Sequence, residues 1–248
     1  MNEIIIDHDT WNYSEAKLPK APKIELGPIH GLLPFDGVRN PSARSATSHR
    51  VFLPYQTAAN NWRPQIGICE SSGEAAAGLE ALIHPETYDL RFQPLTIKYR
   101  GEDNEFHDYT HDLLVTRYDG SRRLMFVRNE HSLTKPSTQR QIRAIAAATP
   151  RSVADDLIII NANDYSRQRR ENLFRMHRYV FDPDPEADEI LLSTARGLRT
   201  LYYLQDLFQH VPLPAARAFA SGYRLVARGH LRANLDNVFW EYSRVEVA

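Results

Sequence analysis

The chain has 248 residues, 42% hydrophobic and 25% charged, with a formal net charge of −1. That is the make-up of a globular protein with a core, in one large domain or two small ones. No apolar run approaches the ~18 residues that span a bilayer, so no membrane segment is expected.

The single cysteine, Cys69, excludes an intramolecular disulfide and predicts a buried apolar residue in a reducing cytoplasm. The first ten residues carry early acids and no basic run, so no secretory signal is expected and the predicted location is cytoplasmic. Residues 1–50 are rich in Pro, Gly, Ser and Asn without periodicity, and predict an N-terminal arm that lies along DNA or covers the core.

A helix is predicted from Glu74 to Ile83, with Ala75, Leu79, Leu82 and Ile83 at helical spacing and Ser71 or Ser72 as cap. Ser71 followed three residues later by Glu74 is a capping box, which gives Glu74 a purely structural role to weigh. Tyr88 to Tyr99 alternates like strands broken at Pro94. Tyr109 to Tyr118 and Arg122 to Asn129 predict a hairpin around Asp119-Gly120. Pro136 to Ala148 reads as a helix, with Ile142 and Ile145 apolar. Leu157 to Ile160 reads as a buried strand. Ser166 to Tyr179 reads as a basic helix with Leu173, Phe174 and Met176 apolar.

Residues 181–189, F-D-P-D-P-E-A-D-E, hold five acids and no base. They predict a linker between an α/β domain over 51–180 and a second domain over 190–248. In the latter, Leu201, Leu204, Leu207, Phe208 and Val211 mark one amphipathic helix. Pro212 and Pro214 break it, a second helix runs to about Arg228, and Gly229 ends that helix. Two short strands around Asp236-Asn237 follow. Helix, turn, helix and hairpin form a winged-helix-like layout. Arg217, Arg224, Arg228 and Arg232 on its second helix and wing are candidates for DNA contact, with protein contact as the other use of such a module.

Charge is uneven along the chain. Between Arg122 and Arg178 stand twelve Arg and Lys against five Asp and Glu. Of the 30 basic residues five are lysine, which leaves 25 arginines. The guanidinium fork suits bidentate phosphate contacts. The pattern predicts a phosphate-binding surface that includes Arg122, Arg123, Arg140, Arg143, Arg167, Arg169 and Arg170.

E-S-S-G-E over residues 70–74 at a helix start, F-Q-P over 92–94, and Asp112 ahead of L-L-V stand in a distinctive order. Across about residues 60–180 this resembles the TnsA endonuclease family of the PD-(D/E)xK nuclease superfamily. The resemblance implies an α/β fold with a restriction-endonuclease-like mixed sheet flanked by helices, followed by a winged-helix-like domain. It also implies Mg²⁺-dependent cutting of double-stranded DNA at transposon 5′ ends, in DNA recombination beside a DDE transposase that cuts the 3′ ends. Glu74 and Asp112 match the family's helix glutamate and strand aspartate, and Gln93 its glutamine.

Phe126 and Arg128 depart from the family's acid or amide, any residue, then lysine. On this resemblance the catalytic set is Glu74, Asp112 and Arg128, and the Mg²⁺ ligands are Glu74, Asp112 and the Val127 carbonyl. Phe126 supplies no ligand, and Arg128 cannot lose its proton and so can only clamp phosphate. Glu130 shares the face of Arg128 if the strand continues, and Lys135 can swing in, so both are candidate substitutes. Replacing Phe126 by Glu and Arg128 by Lys is expected to restore cutting. His107 and His111 lie on the strand face opposite Asp108 and Asp112, which argues against a metal site that uses all four. The expected protein is a DNA-binding, TnsA-like endonuclease subunit with a degenerate site. The alternatives are a nuclease-derived DNA-binding adaptor or regulator that no longer cuts, and a winged-helix protein-interaction module.

Overall fold

Strands β1 (Val51–Tyr55) and β2 (Gln65–Cys69) pair antiparallel and lead into helix α1 (Ser72–Ile83). Ser71 caps α1 by accepting the Glu74 N–H at 3.1 Å. Then come β3 (Thr87–Phe92), β4 (Thr96–Arg100), β5 (Phe106–Thr110), β6 (Leu113–Arg117) and β7 (Arg122–Arg128). A short α2 (Glu130–Leu133), α3 (Pro136–Ala148), β8 (Asp156–Asn161) and α4 (Arg167–Val180) complete this part. The computed structural model describes residues 27–41, 50–198 and 201–248, so most of the expected N-terminal arm lies outside the described residues.

The largest sheet has the order β3-β6-β7-β8. Its pairs are antiparallel except β7 with β8, so the sheet is mixed. Helices flank it, as the alternation of strand and helix in the chain requires. Residues of α1 and α4 share one apolar cluster with Leu90, Leu113, Val115 and Val127. Ile142 and Ile145 of α3 form a second cluster with Phe126 and with Ile97, Tyr99 and Tyr109 of the β4–β5 ribbon. Val127 and Phe126 are neighbours on β7 and so serve opposite faces.

The strand expected over Tyr109 to Tyr118 is two strands in two sheets. Tyr109 lies in β5, paired with β4, whereas Leu113 begins β6, paired with β3 and β7. The break at His111 and Asp112 is pinned by the backbone: the His111 N–H donates to the Leu95 carbonyl and the Gln93 N–H to the Asp112 carbonyl. Strand β8 is an edge strand rather than a buried one, and Ile159 is exposed on it.

The acidic stretch expected as a linker starts a helix instead. Helix α5 (Pro185–Gly197) has Pro185 in its first turn and Asp184 as cap, accepting the Ala187 N–H. Glu186 and Asp188 lie in that first turn, where the helix dipole favours negative charge. The next helix, α6 (Leu204–Phe208), is shorter than the Leu201 to Val211 pattern suggests. Helix α7 (Ala215–Ala227) ends as expected, with Gly229 at φ +72°. Strands β9 (Leu231–Ala233) and β10 (Val245–Val247) pair antiparallel, but residues 234–244 separate them and not a tight Asp236-Asn237 turn.

This C-terminal part shares its core with the rest. Leu191, Tyr223 and Phe239 belong to the same cluster as Leu79 and Leu173. The buried Asn172 of α4 stitches the two regions by donating to the Leu235 and Asn237 carbonyls and accepting the Phe239 N–H. Tyr223 donates its hydroxyl to the Phe239 carbonyl at 2.8 Å.

His177 of α4 packs against Phe181, and burial lowers its pKa to about 4. Between about pH 6.5 and 4 the unfolded chain takes up this proton and the folded chain does not, so stability falls as pH falls through that window. Each pH unit crossed contributes up to about 1.4 kcal/mol. Urea unfolding at about pH 7 and pH 5 is expected to show a smaller acid loss in His177→Gln than in the wild type. Equal losses in both would remove His177 as the cause.

Candidate functional site

A cleft of about 520 Å³ opens where α1 starts and β7 ends. Glu74, Asp112, Val127 and Arg128 line it together with Glu70, and Arg167 and Arg170 of α4 border it. The sequence places these groups far apart; the sheet and the start of α1 bring them together. Phe126 is not in the cleft. It is fully buried in the second cluster, stacked on Tyr109 with ring centroids 5.5 Å apart.

Glu74 does not close the capping box. Its Oε2 accepts the Glu70 N–H at 2.8 Å, and its Oε1 accepts from Gln93 Nε2 at 3.2 Å. Only the Ser71 half of the box forms, and the Glu74 carboxylate turns to the cleft. Gln93 is fully buried at φ 51°, a left-handed backbone that costs a non-glycine residue energy and that the surrounding contacts must hold. Its Oε1 accepts from Arg39 Nη2 at 3.0 Å, and Arg39 also pairs with Glu70 at 2.7 Å. Arg39 and Glu70 were not singled out by the sequence. Arg39 belongs to the stretch expected as an arm, and nothing local marks it.

Asp112 is 4% exposed. Its Oδ2 accepts the Val127 N–H at 3.0 Å and a bond from Arg128 Nη1 at 3.3 Å. The same Nη1 donates to the Val127 carbonyl at 2.7 Å. Burial, and then the neighbouring Asp112 charge, pushes the Glu74 carboxyl well above the usual carboxylate range. Burial also raises Asp112, with the Arg128 charge pulling it back.

These residues do not fit a divalent ion as they stand. The Asp112 oxygen and the Val127 carbonyl expected to ligate Mg²⁺ both face the Arg128 guanidinium. Both Glu74 oxygens already accept hydrogen bonds, from the Glu70 N–H and from Gln93 Nε2. Among the described residues no three His, Cys, Asp or Glu side chains are arranged to hold a metal. The expected substitutes stay away from the cleft. Strand β7 stops at Arg128, Asn129 caps α2, and Glu130 is its first residue, with its N–H on Asn163. Neither Glu130 nor Lys135 lines the cleft. His111 is buried against Thr149, and His107 pairs with Asp103. Cys69 is fully buried, and burial, with Glu74 and Asp112 nearby, raises its pKa, so it is no nucleophile.

The arginines expected to contact DNA do not form one surface. Arg167 and Arg170 border the cleft, and Arg170 Nη1 donates to Ser72 Oγ at 2.8 Å. Arg169 is held by Glu80 at 2.6 Å. Arg122 donates to the Ser152 carbonyl, Arg123 grips Asp156, and both stand at the start of β7, away from Arg128 at its end. Arg140 pairs with Glu102, and Arg143 is exposed on α3.

In the C-terminal part the correction is larger. Arg217 pairs with Asp184 and Glu186, and Arg224, 5% exposed, with Asp188. Arg228 donates to the Ile83 carbonyl at 3.1 Å. These three tie α7 to α5 and α1. The acids of the supposed linker are the partners of Arg217 and Arg224, a pairing that neither segment shows alone.

Comparison with protein-family models finds no match, and comparison with curated proteins finds none either.

Proposed function

We propose that the protein is a DNA-binding protein on a restriction-endonuclease-like scaffold of the TnsA kind, one that grips duplex DNA without cutting it. One observation carries this reading. Glu74, Asp112, Val127 and Arg128, the positions matched by motif, meet in one cleft that Arg167 and Arg170 border. A phosphate at the cleft mouth gains the Arg167 and Arg170 charges and the N-terminal ends of α1 and α4, both of which open there. The altered positions support binding over cutting: Phe126 adds no ligand, and Arg128 stands where the metal would. The three helices and hairpin of the C-terminal part are read as winged-helix-like. Arg217, Arg224 and Arg228 are engaged with other parts of the protein, and Arg232 is exposed beside Glu246, so this part is read as serving the scaffold or a protein partner such as a mobile-element DDE transposase.

The test is fluorescence anisotropy on labelled duplexes over a salt series, with supercoiled plasmid incubated in Mg²⁺ or Mn²⁺ beside it. Arg167→Ala with Arg170→Ala is expected to weaken binding alike for unrelated sequences. It should flatten the salt slope by up to about 0.9 per lost phosphate contact. The plasmid is expected to stay supercoiled. An unchanged slope would remove the cleft as the DNA seat. Nicking that Asp112→Ala abolishes would show an active endonuclease instead.

A further inference from the structure

An exposed aromatic strip lies where the start of α6 runs beside the stretch that joins β9 to β10. Tyr202, Tyr203, Trp240 and Tyr242 are each between 43% and 56% exposed. Backbone bonds set the two segments side by side: the Gln205 N–H donates to the Glu241 carbonyl, the Leu204 N–H to the Ser243 carbonyl and the Val245 N–H to the Tyr202 carbonyl. We propose that this strip stacks unpaired bases, so that the DNA the protein prefers is a duplex carrying a single-stranded tail. The duplex half of that statement rests on the DNA grip proposed for the cleft.

Large rings gathered on a surface mark a contact site. Aromatic faces hold bases by stacking, and they do so for any sequence. The strip is held in shape before any ligand arrives: the Trp240 N–H donates to Ser243 Oγ and the Ser243 N–H to the Trp240 carbonyl, both at 3.0 Å. The Trp240 and Tyr242 rings lie 4.7 Å apart at 60°, so they are not stacked flat on each other. A groove of about 490 Å³ runs alongside, lined by Tyr202, Arg232, Asn234 and Arg244. Arg232 leans on Glu246 at 3.8 Å, whereas no carboxylate among the described residues pairs with Arg244. Exposed Arg244 can therefore take a phosphate of the same strand. Glu241 and Glu246 share the region, so charge adds little and stacking carries the contact. The strip also adjoins the cleft. Ser166, which caps α4 and borders the cleft, donates to Asp236 Oδ1 at 3.2 Å. Trp240 follows Asp236 by four residues, at most about 14 Å of chain. A strand leaving the cleft covers that distance within a few nucleotides, at about 3.4 Å or more each.

Fluorescence anisotropy on the full chain compares a blunt duplex with the same duplex carrying a thymidine tail of about ten nucleotides at a 5′ or a 3′ end. Wild type is expected to bind one of the tailed duplexes at least about tenfold more tightly than the blunt one. The tail should steepen the salt slope by no more than about 0.7, one phosphate on Arg244. Trp240→Ala with Tyr242→Ala is expected to abolish the tail advantage, to leave blunt-duplex binding unchanged and to melt near the wild type. Trp240→Leu with Tyr242→Leu keeps apolar bulk without a stacking face and should lose the advantage too, whereas Trp240→Phe should keep most of it. Arg167→Ala with Arg170→Ala should weaken both duplexes and leave their ratio as it was. Blunt and tailed duplexes bound alike by wild type would overturn the inference and leave the cleft standing; the strip would then face a protein. A tail advantage that survives in the folded alanine or leucine pair would overturn it as well. No binding of any of these DNAs would overturn both the strip and the cleft.

Discussion

A glutamate at position 126 is expected to unfold the protein rather than to restore a nuclease. Phe126 is fully buried between the sheet and α3, stacked on Tyr109 and grouped with Ile142 and Ile145. Deleting such a ring costs about 3–5 kcal/mol through lost burial and the cavity left behind. A buried carboxylate adds several kcal/mol more unless it is paired. Arg128 is the available partner, but it already holds Asp112, and drawing it away leaves that carboxylate exposed to the same penalty. Net destabilisation is expected to exceed about 5 kcal/mol, a large share of the roughly 5–15 kcal/mol of a whole domain. Urea midpoints measure it, with Phe126→Leu as the control that keeps an apolar group and loses far less. Phe126→Glu with Arg128→Lys is likewise expected to gain no Mg²⁺-dependent nicking. A double variant that melts like wild type and nicks plasmid would show that position 126 faces the cleft after all.

Local signals mark what local signals can decide. Ser71 ahead of the helix, Pro136 in the first turn of α3, Ser166 ahead of α4 and the Asp119-Gly120 turn each act within a few residues, and each element lies where the sequence places it. The errors are tertiary. Alternation over Tyr109 to Tyr118 is continuous, yet the chain changes sheets at Asp112 because Leu95 and Gln93 hold it there. An apolar run such as Leu157 to Ile160 does not say whether a strand is central or at an edge. The D-P-E-A-D segment held a readable helix start, an aspartate cap with proline next, but its acid content suggested a linker.

The candidate site divides in the same way. Glu74 and Asp112 were singled out by type and order, and both line the cleft. That Phe126 turns away from the cleft, and that Arg128 bridges Asp112 and Val127, follow from β7 lying between two cores. Gln93 was noticed through its motif alone. Its role as the bridge between Glu74 and Arg39 depends on a segment far earlier in the chain.

Arg224 is expected to matter greatly for folding and not at all for DNA. Its Nε bonds Asp188 bidentately at 2.8 and 2.9 Å, its Nη1 donates to the Asp182 carbonyl, and the side chain is nearly enclosed between α7 and α5. Arg224→Ala leaves Asp188 without its cation and opens a hole at the helix contact. Removing one partner of a buried pair costs about 3–5 kcal/mol. Replacing both partners by apolar residues of similar size often costs little, since the pair repays mostly its own desolvation. Arg224→Met with Asp188→Leu is therefore expected to recover much of the stability that Arg224→Ala loses, as read from urea midpoints. The folded double variant should bind duplex DNA with the wild-type salt slope, because the charge removed lies inside the protein. Arg167→Ala with Arg170→Ala should do the reverse, with a small change in stability and a flatter slope. If Arg224→Ala instead kept the midpoint and flattened the slope, α7 would be a DNA-reading helix whose arginine leaves Asp188 to meet phosphate.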